Sequence, residues 1–205
     1  MATTASPYGL KAVNHIGGTP YAGATRLLPI ASGYGTNIYN GSIVSIVAAG
    51  TIEIVTVTGN GGGGAAASFP AGTIGVFVGV TYTDPNLGTV VFRQNFPTGT
   101  VADDIQAYVI DDPDVIFQAQ ADAAVTQADL GQNTHLAAVQ ATGTGDTTTG
   151  NSNSAIDATT NTTNTFAFRI VDFVDSPTST VGDAFTDLLI KFNPGMHSYT
   201  NATGI

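Results

Sequence analysis

Residues 74–82, IGVFVGVTY, carry the cleanest two-residue alternation in the chain. On an extended strand Ile74, Val76, Val78, Val80 and Tyr82 share one face, and Gly75, Phe77, Gly79 and Thr81 share the other. The pattern predicts a strand, and its two glycines leave room for a backbone or ring to approach. Two β-branched runs precede it, SIVSIVA and TIEIVTVT, parted by Ala49-Gly50. In the second run the apolar set slips from Ile52 and Ile54 to Val55 and Val57, which predicts a bulge or burial on both faces. TDPNLG is turn chemistry with Pro85 preset for it, and TVVFR and IQAYVI continue as strands. Val115, Phe117, Ala119 and Ala121 alternate with Ile116, Gln118, Gln120 and Asp122, and FAFRIVDFV and AFTDLLIKF add two more strands around a Ser-Pro turn.

The segments between these runs lack such periodicity. Residues 59–67, GNGGGGAAA, predict a loop tip; no Lys-Ser or Lys-Thr follows, so the glycines do not make a phosphate loop. Residues 123–140 are the one place for a short helix or an irregular segment, which Gly131 and Asn133 would end. Residues 142–165 are low-complexity and polar, and predict a long surface excursion. Residues 1–40 are broken by Pro and Gly, yet Tyr8, Leu10, Tyr21, Leu27 and Leu28 are spread through them. That mixture predicts an extended arm that packs on its own domain or on a neighbour, and these five residues are its candidate partner contacts. The expected fold is all-β: a barrel-like or sandwich core over 41–205, with an N-terminal contact arm over 1–40 and long surface loops, including the polar one at 142–165.

Composition narrows the function classes. The 205 residues hold 5 Lys plus Arg against 15 Asp plus Glu, a net charge of −10. Phosphate neutralisation needs clustered cations, so nucleic acid is not an expected partner, nor is an anionic membrane surface. No apolar run approaches the length of a membrane-spanning helix. Charged residues make up 10%, and Thr, Ser, Asn, Gln and Gly fill their place, as suits strands and turns. There is no cysteine, which excludes disulfides and thiolate metal sites.

Candidate chemistry is sparse. Asp111, Asp112 and Asp114 crowd around Pro113, where a turn, an adventitious cation site and a carboxylate pair for hydrolysis are all conceivable. The turn is favoured, because a calcium loop of the EF-hand kind needs a central Gly and a terminal Glu that are missing here. His15, His135 and His197 show no metal-ligand spacing, and no nucleophile-elbow motif is present. No metal, cofactor or enzymatic activity is expected. A carbohydrate-binding surface module is the alternative, with Tyr34, Tyr108 or Tyr199 standing in for the missing Trp.

Four stretches, taken in order, carry a resemblance: PYGLKAVNHIGGTPYAGATRLLPIASGY, DDPDVIFQAQAD, GNSNSAID after a Thr-rich loop, and FRIVDFVDSPTSTVGDAFTDLLIKFNPGMHSYTNATGI. Together they resemble the cement, or decoration, proteins of tailed bacteriophage capsids, especially those of aquatic phages. The resemblance implies a non-enzymatic virion protein on the outer capsid surface. It also implies a homotrimer that stabilises the shell by bridging copies of the major capsid protein.

Overall fold

The computed structural model describes residues 4–55, 69–137 and 144–205. The glycine-rich stretch at 59–67 and the end of the second β-branched run lie outside the described residues. In chain order the strands are β1 (Lys11–His15), β2 (Arg26–Pro29), β3 (Ile43–Ile46), β4 (Ile52–Ile54), β5 (Thr73–Asp84) and β6 (Thr89–Arg93). They continue with β7 (Gln106–Ile110), β8 (Val115–Gln120), β9 (Asn133–Thr134), β10 (Phe168–Phe173) and β11 (Asp187–Phe192). The described residues contain no α-helix; the segment expected to hold one has a single 3₁₀ turn at Gln127–Asp129, followed by β9.

Two antiparallel sheets result. The first has the order β1-β8-β11-β10-β9, the second β2-β7-β5-β3-β4 with β6 added to β5. They pack as a sandwich, because one buried cluster draws Phe117, Phe168, Leu188 and Ile190 from the first sheet and Ile43, Val76 and Ile110 from the second. Phe192 lies at its centre, in ring contact with Phe69, Phe117 and Phe168 at 6.2, 5.9 and 5.0 Å. A second cluster covers the opposite face of the second sheet: Val44, Ile74, Phe77, Val80, Ala107 and Val109 pack under Ile30, Ile38, Phe96 and Ile105 from irregular segments. The layers are therefore sheet, sheet and a lid of loops, so the second sheet is apolar on both faces.

That burial explains a departure from the expected single apolar face in β5. Ile74, Phe77, Val80 and Tyr82 enter the loop-covered core, whereas Val76 enters the inter-sheet core and Val78 packs against it. The alternation slips twice. Pairing with β3 shifts near Gly75, and pairing with β7 shifts between Phe77 and Gly79. Gly75 has φ +145°, and a Cβ there would overlap the Ile110 carbonyl oxygen. The two glycines let one strand feed two cores.

Residues 1–40 are built into the sandwich. β1 is the edge strand of the first sheet on β8, and β2 is the edge strand of the second on β7. Leu10 is 1% exposed within the inter-sheet core. The described part of the polar loop, residues 144–165, is a surface excursion only in part: 146–149, 161–162 and 164–165 are exposed. Ser152, Ser154 and Ile156 are buried, and Ile156 belongs to the inter-sheet core. Backbone bonds stitch this segment down: Ser152 N–H donates to the Asn40 carbonyl at 2.8 Å and Ile156 N–H to the Gln120 carbonyl at 2.9 Å. The buried Ser152 and Ser154 hydroxyls satisfy each other at 2.8 Å, so small polar side chains fill an interior that composition alone assigned to solvent.

Candidate docking face

The inter-sheet face of the second sheet continues past the first sheet and becomes exposed. On β7, Ile110 faces the buried core and Tyr108, two residues back, is half-buried on the same side. Leu27 stands directly across from Tyr108 on β2 and is 51% exposed. On the other side Tyr108 pairs with Gly79, and the missing side chain there makes room for Phe92. The Phe92 ring meets Tyr108 edge-on at 5.6 Å and is itself 67% exposed. Val90, two residues back on β6, is 71% exposed. Leu27, Tyr108, Phe92 and Val90 thus form an apolar band across β2, β7, β5 and β6. Covering Leu27, Val90 and Phe92 would be worth on the order of 1–2 kcal/mol apiece. The hairpin turn that positions β6 is local chemistry. Asp84 accepts from the Asn86 and Leu87 N–H groups at 2.9 and 3.3 Å, and Gly88 closes the turn at φ +64°.

Arg93 and Asp84 lie 3.7 Å apart on the opposite face of the β5–β6 hairpin, the side of Val91 and Tyr82. Asp104 accepts from Thr83 N–H at 2.9 Å and from its hydroxyl at 2.6 Å. Those bonds hold the Asp104 carboxyl below the usual carboxylate range.

The acidic turn at 111–114 is matched almost donor for donor. Asp111 accepts from Arg26 Nε at 2.8 Å and from the Tyr199 hydroxyl at 2.7 Å. Asp112 accepts from Asp114 N–H at 2.8 Å, closing the turn, and its other oxygen lies 3.3 Å from His15 Nε2. Asp114 accepts from Lys191 Nζ at 2.8 Å. The three carboxylates therefore diverge toward β2, β1 and β11 and clasp both sheets and the C-terminal tail. Burial pushes the Tyr199 phenol up to about 12, with the Asp111 carboxylate adding to the effect.

The five candidate contact residues are not brought together. Leu27 lies on the exposed band. Leu28 turns the opposite way and packs against the loop-covered core. Leu10 is corrected outright: buried between the sheets, it has no surface to offer a partner. The Tyr8 hydroxyl donates to Asp187 at 3.1 Å, and Lys11 stands over its ring at 4.3 Å. Tyr21 packs against the inter-sheet core and bonds the Ala24 carbonyl within its own loop. The exposure of Phe92 and Val90 was not legible in the sequence, because Val90, Val91 and Phe92 are all apolar, and such a run carries no sign of which face stays open. The histidines are scattered: His15 meets Asp112, His135 lies 3.5 Å from Asp157, and His197 caps the 3₁₀ turn at Ser198–Thr200. Burial depresses the His197 pKa. Among the described residues no group of three or more His, Asp or Glu side chains converges as a metal site. No family model, no curated protein and no solved structure matches the chain.

Proposed function

We propose that this chain is a structural, non-enzymatic virion protein that binds the outer surface of a tailed-bacteriophage capsid and stabilises it by bridging copies of the major capsid protein. The exposed apolar band of Leu27, Tyr108, Phe92 and Val90 is the observation that carries this reading. It is a strand-borne apolar patch bordered by the Thr83–Asp104 pair, suited to covering another protein surface. The sequence resemblance supplies the partner and the trimeric state. A homotrimer presents three copies of the patch, and repeated weak contacts then add up to firm attachment without any one of them being large. Neither nucleic acid nor a membrane is a partner in this reading, since a surface of net charge −10 repels both.

Phe92→Asp is the test. Phe92 is largely exposed, so the variant keeps the melting temperature of the parent, while a charge set into the docking face weakens attachment to undecorated capsids at least about tenfold, a change of about 1.4 kcal/mol. Capsid occupancy is read by quantitative gel analysis of sedimented particles. Equal occupancy for parent and variant would remove the apolar band from the interface.

A further inference from the structure

The edges of the two sheets are finished in different ways. β1 is closed by its own chain: the His15 N–H donates to the Thr19 carbonyl at 2.8 Å and the Tyr21 N–H to the Val13 carbonyl at 3.2 Å. β9 is bridged to Asn161. On β4 the Ile54 N–H donates to the Tyr34 hydroxyl at 3.2 Å. β2 ends in Pro29, which has no N–H to offer. β6 is the exception: among the described residues it pairs with β5 alone, and no backbone group bonds its outer side.

The ladder fixes what that edge presents. The Thr83 N–H donates to Asp104 at 2.9 Å, on the side of β7, so Tyr82 and Asp84 turn their backbone groups toward β6. Their partners Val91 and Thr89 are therefore bonded inward, and the Val91 carbonyl also accepts from the Thr81 hydroxyl at 3.2 Å. Alternation leaves the N–H and C=O of Val90 and Phe92 facing outward. Both side chains are exposed as well. Open edges are usually guarded by charge, Pro or a bulge. The strand TVVFR has no Pro, no carboxylate and an unbroken register, and its one charge, Arg93, stands at the end.

We propose that β6 pairs edge to edge with β6 of a second copy, antiparallel about a two-fold axis at Val91. In that register all 5 residues of the strand are paired. Val90 faces Phe92 of the copy and Phe92 faces Val90, each pair exchanging both N–H···O bonds, so the outward groups of both residues are met. The same pairs set a β-branched side chain against an aromatic ring, a favourable cross-strand contact. An axis at Val90 or Phe92 would run one end of the strand over the turn or past Arg93. The edge is thus complementary to itself, which a strand of another protein need not be. It is also a stretch free of carboxylates on a chain of net charge −10, where two copies can approach. The joined sheets carry the apolar band from one copy into the next. On the capsid reading this axis joins neighbouring trimers, but the pairing does not rest on that reading and is tested on the free protein.

The chain has no cysteine, so single substitutions report the register. Residues facing each other at a non-hydrogen-bonded position lie about 4.5 Å apart at Cα, within reach of a disulfide. Val91→Cys should therefore link to itself under mild oxidation with diamide. Thr89→Cys and Arg93→Cys should not link to themselves, whereas a mixture of the two should give the 89–93 dimer. Adding Val90→Pro to Val91→Cys removes an outward N–H that a single copy does not use, and should slow linking at least about tenfold. In the parent, the Val90 and Phe92 amides should gain protection from hydrogen exchange as protein concentration rises. Val91→Cys that stays unlinked, or links no faster than Thr89→Cys or Arg93→Cys alone, would overturn the proposal and leave the edge to a strand of another protein. Undiminished linking with Val90→Pro, or exchange at Val90 and Phe92 that ignores concentration, would overturn it too.

Discussion

Asp114 and Asp187 carry the same side chain and are pushed in opposite directions. The Lys191 ammonium bonds Asp114 and attracts it electrostatically, which holds its carboxyl below the usual range. Burial raises Asp187, and the Tyr8 hydroxyl offsets only part of that cost. The signs follow. A depressed carboxylate contributes stability above its unfolded value of about 3.9, and that contribution is lost as pH falls through the lower folded value. Asp114 is 61% exposed, so its pair with Lys191 is worth only about 0.5 kcal/mol. Asp114→Asn should therefore unfold slightly more easily in urea at pH 7, and the difference from the parent should shrink as pH falls below the unfolded value and through the lower folded one. A penalty that persists undiminished at low pH would mean that the side chain acts by shape and not by charge. The turn itself was legible, because Asp-Asp-Pro-Asp has one strong local solution. Its partners Arg26, His15 and Lys191 were not, since each lies on a different strand and only the finished topology brings them close.

At the scale of elements, local chemistry and period-two patterning carried most of the strands. The β5–β6 hairpin follows from Asp84-Pro85-Asn86 and Gly88, and the turn between β3 and β4 closes through Gly50 at φ +76°. Patterning failed where tertiary context set the answer. The even alternation of β5 pointed to one apolar face, but both faces of its sheet are covered, and two glycine-centred irregularities divide the side chains between two cores. The segment at 145–165 was assigned to solvent because Ser and Thr are polar. Its buried Ser152 and Ser154 hydroxyls satisfy each other, which no periodicity reports, while 146–149 and 161–162 do lie at the surface. The two glycines of β5 should respond differently to substitution. At Gly75 an added Cβ meets the fixed backbone of Ile110 at a φ that L-residues avoid, so Gly75→Ala should cost about 2–4 kcal/mol in denaturant unfolding. At Gly79 the added Cβ lies 2.8 Å from the far end of the Phe92 ring, which can swing toward solvent, so Gly79→Ala should cost less than about 1 kcal/mol. Equal penalties would show that Phe92 is as fixed as a backbone carbonyl.

For the whole molecule, the decisive fact is the imbalance between a well-filled interior and an acidic exterior. Two cores share one sheet, so the second sheet is held from both sides and can present Leu27, Tyr108, Phe92 and Val90 on a rigid base. Of the 5 cations, Arg26, Arg93 and Lys191 are matched by Asp111, Asp84 and Asp114, which leaves an excess of carboxylates facing outward. Copies of such a body repel one another at low ionic strength, and any self-association must come from short-range apolar contact. The proposed trimer therefore has a defined salt response. Raising salt from about 0.01 to 0.15 M shortens the screening length from about 30 to 8 Å, removes most of the repulsion and leaves the apolar term intact. Sedimentation equilibrium should show association tightening over that range. Association that weakens instead would mean that ion pairs hold the copies together. That would move the contact off the band to charged groups such as Arg93 and Asp84 on the other face of the hairpin, since screening weakens such pairs and leaves the cover over Phe92 and Val90 unchanged.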